Sequence, residues 1–500
     1  MKIRSKETKS NSFEDPPQSH CHCLPLPLGN LSDQFYTPHF LSSLSPSPLP
    51  YLPYNSPQQE SRTLSQVHLE PSSSSHSLRM GNKSWKSSPV FISEEILIEI
   101  LLRLPVKSLI RFSCVSKSWR DVIRSSSFIT NHLSKNMTRY SNRYLIANYP
   151  VDPSTVEPDL CQYNLYSSET FEQCLKLEHP LWTTIGRFEQ CLRLKCSLST
   201  ASRCVIYGSS NGLLCISDSD VVTQSPICIW NPSIRKFRIL PQPTLFHLDH
   251  YCFDTVLSFG FHPVLKDYKV VMLQCFDVVE EGDLDVKIAL GVQVYTFSTN
   301  SWKMNEVMRL DWDWKPCAKC AVLNGISYWL AEEVSAEASV FRILSFDTGN
   351  EEFEHFRVPE AIANVDGGLY IEVYKDSICL LEVDYCSCED DDGGHIYVWL
   401  LQEQTFNLLQ TIVLPSSGTC IPLGFTMDNQ LLVEVLEDDD DNYQLALFVP
   451  ESKQLLRTPI LLPVHTRSQV HTYNESLVLL DDERLINCLD SKEYCEALYG

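Results

Sequence analysis

From about residue 140 onward one strand–turn–strand unit returns five times, and this repetition restricts the fold more than any other feature of the chain. A residue near the end of one strand is matched by another seven positions on: Trp230 and Phe237, Tyr295 and Trp302, Phe346 and Phe353, Trp399 and Phe406, Phe448 and Leu455. Turn formers fill the intervals, as in Asn231-Pro-Ser, Ser298-Thr-Asn, Asp347-Thr-Gly-Asn and Pro450-Glu-Ser. An apolar stretch precedes each unit, at Asn211–Cys215, Tyr268–Met272, Asn324–Leu330, Asp376–Leu381 and Asn429–Val433, and a blurred sixth copy lies between Arg143 and Phe171. The units recur at about 50 to 65 residues, the span of a four-stranded blade that cannot bury both faces alone and stacks radially on its neighbours. The pattern predicts an all-β, propeller-like domain with six blades, and a pair of β-sandwiches is the alternative.

Two other patterns precede the repeats. Residues 1 to 88 are rich in Ser, Pro, His and Gln, with too few periodic apolar positions to offset the entropy of ordering, so they read as a disordered tail. His20-Cys-His-Cys23 lies there, but alternate residues of a flexible segment preform no tetrahedral metal site. Residues 89 to 133 carry three short helical patterns. Ser93 is placed to cap the first, Ile92 to staple onto Leu97, and Glu95, Glu99 and Arg103 make one polar line at i, i+4 spacing. Pro105 ends that helix and begins the second; Ser116 caps a third bearing Trp119, Val122 and Ile123. The class expected is α+β multidomain: tail 1–88, helical module 89–133, linker 134–145 and β domain 146–490.

A module of about 45 residues lies near the lower limit of independent stability, yet this one carries more apolar residues than its own core needs. Two destinations stay open: a partner protein, or the rest of this chain.

The residues that carry this pattern, Ser93-Glu-Glu-Ile-Leu-Ile-Glu-Ile-Leu-Leu-Arg-Leu-Pro-Val-Lys-Ser-Leu109 followed by Arg111-Phe-Ser-Cys-Val-Ser-Lys-Ser-Trp119, resemble an F-box. One departure is Phe91-Ile92, where many members have Leu-Pro before the acidic pair. The β region resembles the F-box-associated, kelch-like domain of plant F-box proteins through Gly208-Ser-Ser-Asn-Gly-Leu-Leu-Cys215, Ile229-Trp-Asn-Pro-Ser-Ile-Arg-Lys-Phe237, Phe259-Gly-Phe-His-Pro263, Asp267-Tyr-Lys-Val-Val271 and Pro422-Leu-Gly-Phe425; the Gly-Gly doublet of strict kelch blades is missing. The resemblance implies a subunit of a Skp–cullin–F-box ubiquitin ligase. Its F-box would engage a Skp-type adaptor through Ile100, Leu101, Leu104, Pro105, Val106, Leu109, Val115 and Trp119, and its β domain would hold an unidentified target protein.

Charge narrows the partners further. A net charge of -23 disfavours contact with phosphate backbones or anionic lipid, so neither nucleic acid nor membrane is an expected partner. Much of the acidity sits in Glu389–Asp392 and Glu437–Asp441, which read as solvated loop tips. Insertions at 280–285, 332–338, 389–394 and 437–442 are candidate target contacts. The 20 cysteines are irregularly spaced and follow no apolar leader, which points to a reducing, intracellular setting in cytoplasm or nucleus. Asn-x-Ser/Thr triplets at Asn30, Asn82, Asn136 and Asn474 then carry no weight.

Catalytic signatures are sparse. Cys317-Ala-Lys-Cys320 has no second pair at zinc-site spacing, Cys386-Ser-Cys388 borders an acidic run, and His262-Pro263 reads as a turn. No P-loop, G-x-S-x-G, H-E-x-x-H or dinucleotide fingerprint occurs. The expectation is a non-catalytic receptor without a cofactor. Its rivals are an F-box scaffold that does not direct degradation and a propeller metal oxidase, although the repeat aromatics read as core.

Overall fold

The computed structural model describes residues 93–139, 143–150, 161–177, 204–218, 226–243, 252–279, 286–305, 308–309, 314–333, 340–363, 368–384, 394–414, 419–436, 442–450, 452–463 and 469–479. The chain divides into two units, Met1–Lys86 and Ser87–Gly500, and all described residues belong to the second. The expected tail with its His-Cys pairs, Cys386, Cys388 and most of the acidic insertions lie outside the described residues.

Four helices come first: α1 (Glu94–Leu101), α2 (Val106–Phe112), α3 (Lys117–Arg124) and α4 (Ser126–Met137). The sequence pattern predicts three helices and a linker from 134. Instead, Ser125 ends α3 and caps α4 through its hydroxyl, which accepts from the Phe128 N–H, so the chain turns straight into a further helix. The pattern misses α4 because only Phe128, Ile129, Leu133 and Met137 interrupt its polar sequence, whereas its buried face also uses His132 and Asn136.

Six antiparallel sheets follow. The first holds β1 (Arg143–Pro150), β2 (Cys161–Ser167) and β3 (Gln173–Leu177); the second β4 (Cys204–Ser210), β5 (Leu213–Asp218), β6 (Cys228–Asn231) and β7 (Lys236–Ile239). The third holds β8 (Cys252–His262), β9 (Asp267–Val279), β10 (Val286–Thr296) and β11 (Ser301–Met304), with β12 (Met308–Arg309) beside β10. The fourth comprises β13 (Trp314–Leu323), β14 (Ile326–Glu333), β15 (Val340–Asp347) and β16 (Glu352–Arg357), followed by the short α5 (Glu360–Ala363). The fifth is β17 (Leu369–Tyr374), β18 (Ser377–Asp384), β19 (His395–Gln402) and β20 (Thr405–Val413); the sixth is β21 (Thr419–Phe425), β22 (Leu431–Leu436), β23 (Asn442–Val449) and β24 (Gln454–Pro463).

The last strand, β25 (Gln469–Asn474), returns to pair with β1 and becomes the missing inner strand of the first blade. The inner strands β25, β4, β8, β13, β17 and β21 contact one another in a closed ring. A six-bladed propeller results, and the sandwich alternative falls because the sheets pack in a cycle rather than as facing pairs.

Packing explains why the strands read as short apolar runs. Along β5, Leu213 and Cys215 face the core shared with the third blade, whereas Leu214 and Ile216 face the core shared with the first. Both faces of a blade are covered, so alternate residues enter different cores and the polar half of the usual alternation is lost. The repeat aromatics Trp230, Tyr295, Phe346 and Phe448 are buried in these seams, as the core reading requires.

The seven-residue spacing also has a geometric origin. In four of the five units the matched residues are cross-strand partners: Trp230 with Phe237, Tyr295 with Trp302, Phe346 with Phe353, and Phe448 with Leu455. A four-residue turn separates the strands, and its last residue takes a positive φ at Arg235, Asn300, Glu351 and Lys453. Trp399 and Phe406 are the exception. Their hairpin closes through the two-residue turn Glu403-Gln404, both at positive φ, so Trp399 pairs with Leu408 instead.

Candidate functional site

The helical module is braced from its C-terminal side. His132 on α4 is buried and uses Nε2–H to donate to the Leu104 carbonyl at 2.9 Å, fixing the turn between α1 and α2. Burial pushes the imidazole below its ordinary pKa and nearby Arg139 adds to this, so the ring is neutral at pH 7. Lys135 grips Glu99 at 2.9 Å, Arg139 donates to the Arg103 carbonyl at 2.8 Å, and Glu99 lies 3.6 Å from Arg103 as the i, i+4 line predicts. Ser116 caps α3 by accepting from the Trp119 N–H at 3.1 Å, and the Trp119 ring meets Phe112 edge-on at 5.5 Å.

This bracing separates the apolar residues into two groups that the sequence cannot distinguish. Leu101, Val106 and Leu109 are fully buried with Leu102, Ile123 and Phe128. In the folded chain they form the module's core, with no more than 1% of the surface of Leu101, Val106 or Leu109 exposed. Leu104 and Trp119 are half-buried against that core, while Pro105 is exposed. Ile100 and Val115 stand in solvent at 44% and 65% exposure. Ile96, one turn before Ile100 on α1, is 57% exposed. Their exposure could not be inferred from periodicity, because α1 is apolar on nearly every side except its Glu95–Glu99–Arg103 line.

The surplus apolar surface also meets the rest of the chain. Leu477, just after β25, is buried in the module's core, and Ile234 from the β6–β7 turn packs beside it. Asn136 donates to the Glu475 carbonyl at 3.2 Å. The Glu475 carboxylate accepts from the Val106 N–H at the start of α2, where the N-cap, Pro105, has no side-chain oxygen; burial raises its pKa, and the Val106 bond and Lys107 act against the rise. Some of the surplus is therefore covered by the propeller, while Ile96, Ile100 and Val115 stay exposed.

The propeller's own chemical groups are tied down. His262 is buried, and its Nδ1 accepts from the Leu265 N–H at 3.1 Å, closing the turn predicted for it. Cys320 has its thiol against the Leu257 carbonyl at 3.5 Å, and burial pushes it up to about 12; the side chain of Cys317 is outside the described residues. Cys215, Cys228 and Cys379 are buried thiols raised by the same cause. Near the ring of inner strands Lys319 pairs with Glu372 and donates to the Leu423 carbonyl at 2.7 Å. Glu434 is pushed up to about 7 by burial, and His471 is pushed down to about 4 by burial and then by Lys319. Among the described residues no group of three or more His, Cys, Asp or Glu side chains could hold a metal ion, and no helix is long and apolar enough to cross a membrane. Asn136 and Asn474, each the start of a glycosylation triplet, are buried.

Comparison with known proteins agrees with both halves of the chain. The family model for the F-box associated beta propeller domain matches residues 188–480, and that for the F-box domain matches residues 92–131. F-box protein CPR1 of Arabidopsis thaliana is 26% identical over 388 residues, which cover 73% of this chain and 83% of the relative. The F-box/kelch-repeat protein At3g23880 of the same plant is 27% identical over 320 residues, covering 63% and 77%. The F-box protein At3g16210, also from that plant, is 29% identical over 272 residues; these cover 54% of this chain and 61% of the relative, less than two thirds of its length. Since the propeller match alone runs over more than half of the sequence and the F-box match lies on its N-terminal side, the chain belongs to the plant F-box proteins that carry an F-box associated β-propeller domain.

Proposed function

We propose that this chain is the substrate receptor of a Skp–cullin–F-box ubiquitin ligase, with the helical module docking a Skp-type adaptor and the propeller holding a target protein. The observation that carries the reading is an F-box whose Ile96, Ile100 and Val115 stand in solvent after the module has folded and packed on its own propeller. Ile96 and Ile100, with the neighbouring Leu104–Pro105 turn, offer apolar anchors, and Val115 and the partly exposed Trp119 offer two more. Leu101, Val106 and Leu109 support this surface from beneath.

The receptor reading requires no nucleophile in this chain. Its contribution to transfer is effective concentration and orientation: a target bound to the blades is held near a ubiquitin thioester whose chemistry belongs to other subunits. The same reading places the protein inside the cell, where adaptor and proteasome reside, and it calls for no cofactor.

The test is binding of the full chain to a purified Skp-type adaptor, followed by affinity capture from cells with and without a blocked proteasome. The adaptor should co-purify at one-to-one stoichiometry, and one partner should accumulate when degradation is blocked. Failure of the full chain to bind any Skp-type subunit overturns the proposal, and adaptor binding with a partner whose abundance ignores loss of this chain replaces it with the non-degradative scaffold.

A further inference from the structure

The Asn231 side chain is fully buried and joins two parts of the chain that are far apart in sequence. Its amide nitrogen donates to the Ser476 carbonyl at 3.0 Å, to Ser476 Oγ at 3.1 Å and to the Val478 carbonyl at 2.8 Å. Its oxygen accepts from the Ser233 N–H at 3.0 Å and from the Tyr473 hydroxyl at 3.3 Å, and that hydroxyl lies 2.6 Å from Ser233 Oγ. One side chain thus clamps the segment after β25 to the β6–β7 turn, using both its donor and acceptor groups.

The two clamped pieces are the same two that enter the helical module. Leu477 lies between Asn231's partners Ser476 and Val478 and is buried in the module's core, while Ile234 follows Ser233 in the turn. Glu475, one residue before Ser476, accepts from the Val106 N–H with its carboxylate and from Asn136 with its carbonyl. A single covalent link between α4 and β1 leaves the module free to swivel. Two further attachments, cross-tied by Asn231, remove that freedom. The tie is close: a Cβ added to Gly212, whose φ is +77, would lie 2.5 Å from the Asn474 carbonyl oxygen and 2.5 Å from Ser476 Oγ.

We propose that Asn231 and the strap Glu475–Val478 are positioning elements that fix the orientation of the F-box on the propeller and thereby decide which lysines of a blade-bound protein face the ubiquitin-charged enzyme. The consequence for transfer rests on the receptor reading; the mechanical coupling does not. A receptor that swivels sweeps its cargo through a larger volume, which lowers the effective concentration at any one lysine and spreads modification over more of them.

The experiment uses the full chain bound to a Skp-type adaptor, with N231A and L477A acting from opposite ends of the strap and L477M restoring most of the lost volume. Hydrogen exchange comes first. Amides of 475–478 and of the start of α2 should exchange at least about tenfold faster in N231A and L477A, with the third to fifth blades unchanged and L477M near wild type. The second arm reconstitutes transfer and uses this chain's own propeller lysines as the acceptor probe, mapped by mass spectrometry. At saturating adaptor, wild type should modify a restricted set, and the two loosened variants a wider set at similar total yield. Unchanged exchange at the strap, or loosened exchange with an unchanged lysine set, overturns the proposal. So does faster exchange throughout the blades in both variants, which would make these residues part of propeller stability. Failure of wild type to bind the adaptor sinks the receptor reading, while the exchange arm still judges the coupling.

Discussion

Replacing Ile100 by Asp separates docking from folding. Complete burial of an Ile side chain is worth about 1.5–3 kcal/mol. Because 44% of Ile100 is still exposed in the folded chain, the part left for a partner to cover is worth roughly 0.7–1.3 kcal/mol. Ile100→Ala should therefore weaken adaptor binding about three- to ninefold, and Ile100→Asp at least about a hundredfold, since a carboxylate must also be desolvated at the contact. Neither change empties a packed site, so the melting temperature should move by no more than about 2–4 °C. Leu104→Asp is less informative, because Leu104 packs against the core and a loss of binding would be entangled with a loss of fold. The assay is calorimetric titration of purified adaptor into the full chain, with thermal unfolding of each variant alongside. An Ile100→Asp variant that melts like wild type and binds the adaptor within twofold would refute the assignment of this face.

Three further outcomes follow from buried groups. Glu434 is raised from 4.5 to about 7, so between those values the native state holds a proton that the unfolded chain has lost, and stability falls as pH rises through this window by about 3 kcal/mol in total. Glu434→Gln should accordingly raise the melting temperature at pH 8 and change it little at pH 5; equal effects at both would remove the argument. His132 is lowered, so the unfolded chain takes up a proton before the native one as pH drops below 6.5, and stability of the module is lost on acidification. Adaptor affinity should weaken between pH 7 and pH 5.5, and His132→Gln, whose amide can donate to the same Leu104 carbonyl, should flatten that slope in the calorimeter. Gly212→Ala forces a side chain into a left-handed position and against the Asn474 carbonyl, a cost of about 1–3 kcal/mol measurable by urea unfolding.

The parts of this fold that were legible in the sequence are those fixed by neighbours along the chain. The four-residue turns read between the paired residues produce the seven-residue spacing, whereas Asn211-Gly212 and Asn324-Gly325, read as the starts of apolar strands, form two-residue turns with positive φ at both positions. What depended on distant partners was not legible. β25 pairs with a strand more than 300 residues earlier, and nothing in Gln469–Asn474 marks it as the closing strand. Asn231 belongs to a readable turn motif, yet its role depends on Ser476 and Val478, which carry no pattern of their own. In the helical module, Leu101 and Ile100 are adjacent apolar residues of one helix, and the packing of α2, α3, α4 and Leu477 decides that the first is core and the second surface. A residue list carried over from a family motif merges those roles.

The division of the module's apolar residues bears on how adaptor binding and the rest of the molecule influence each other. A core built from so few large side chains sits close to the limit of stability, and Leu477 contributes one fully buried side chain, worth about 2–5 kcal/mol by the usual cost of truncating a leucine to alanine. That contribution comes from the propeller side, from a segment continuous with the strand that closes the blade ring. Leu477 therefore ties the order of the module to closure of the ring. Coupling of this kind is reciprocal: an adaptor that binds the ordered module stabilises the closed ring by the same free energy that ring closure adds to adaptor binding.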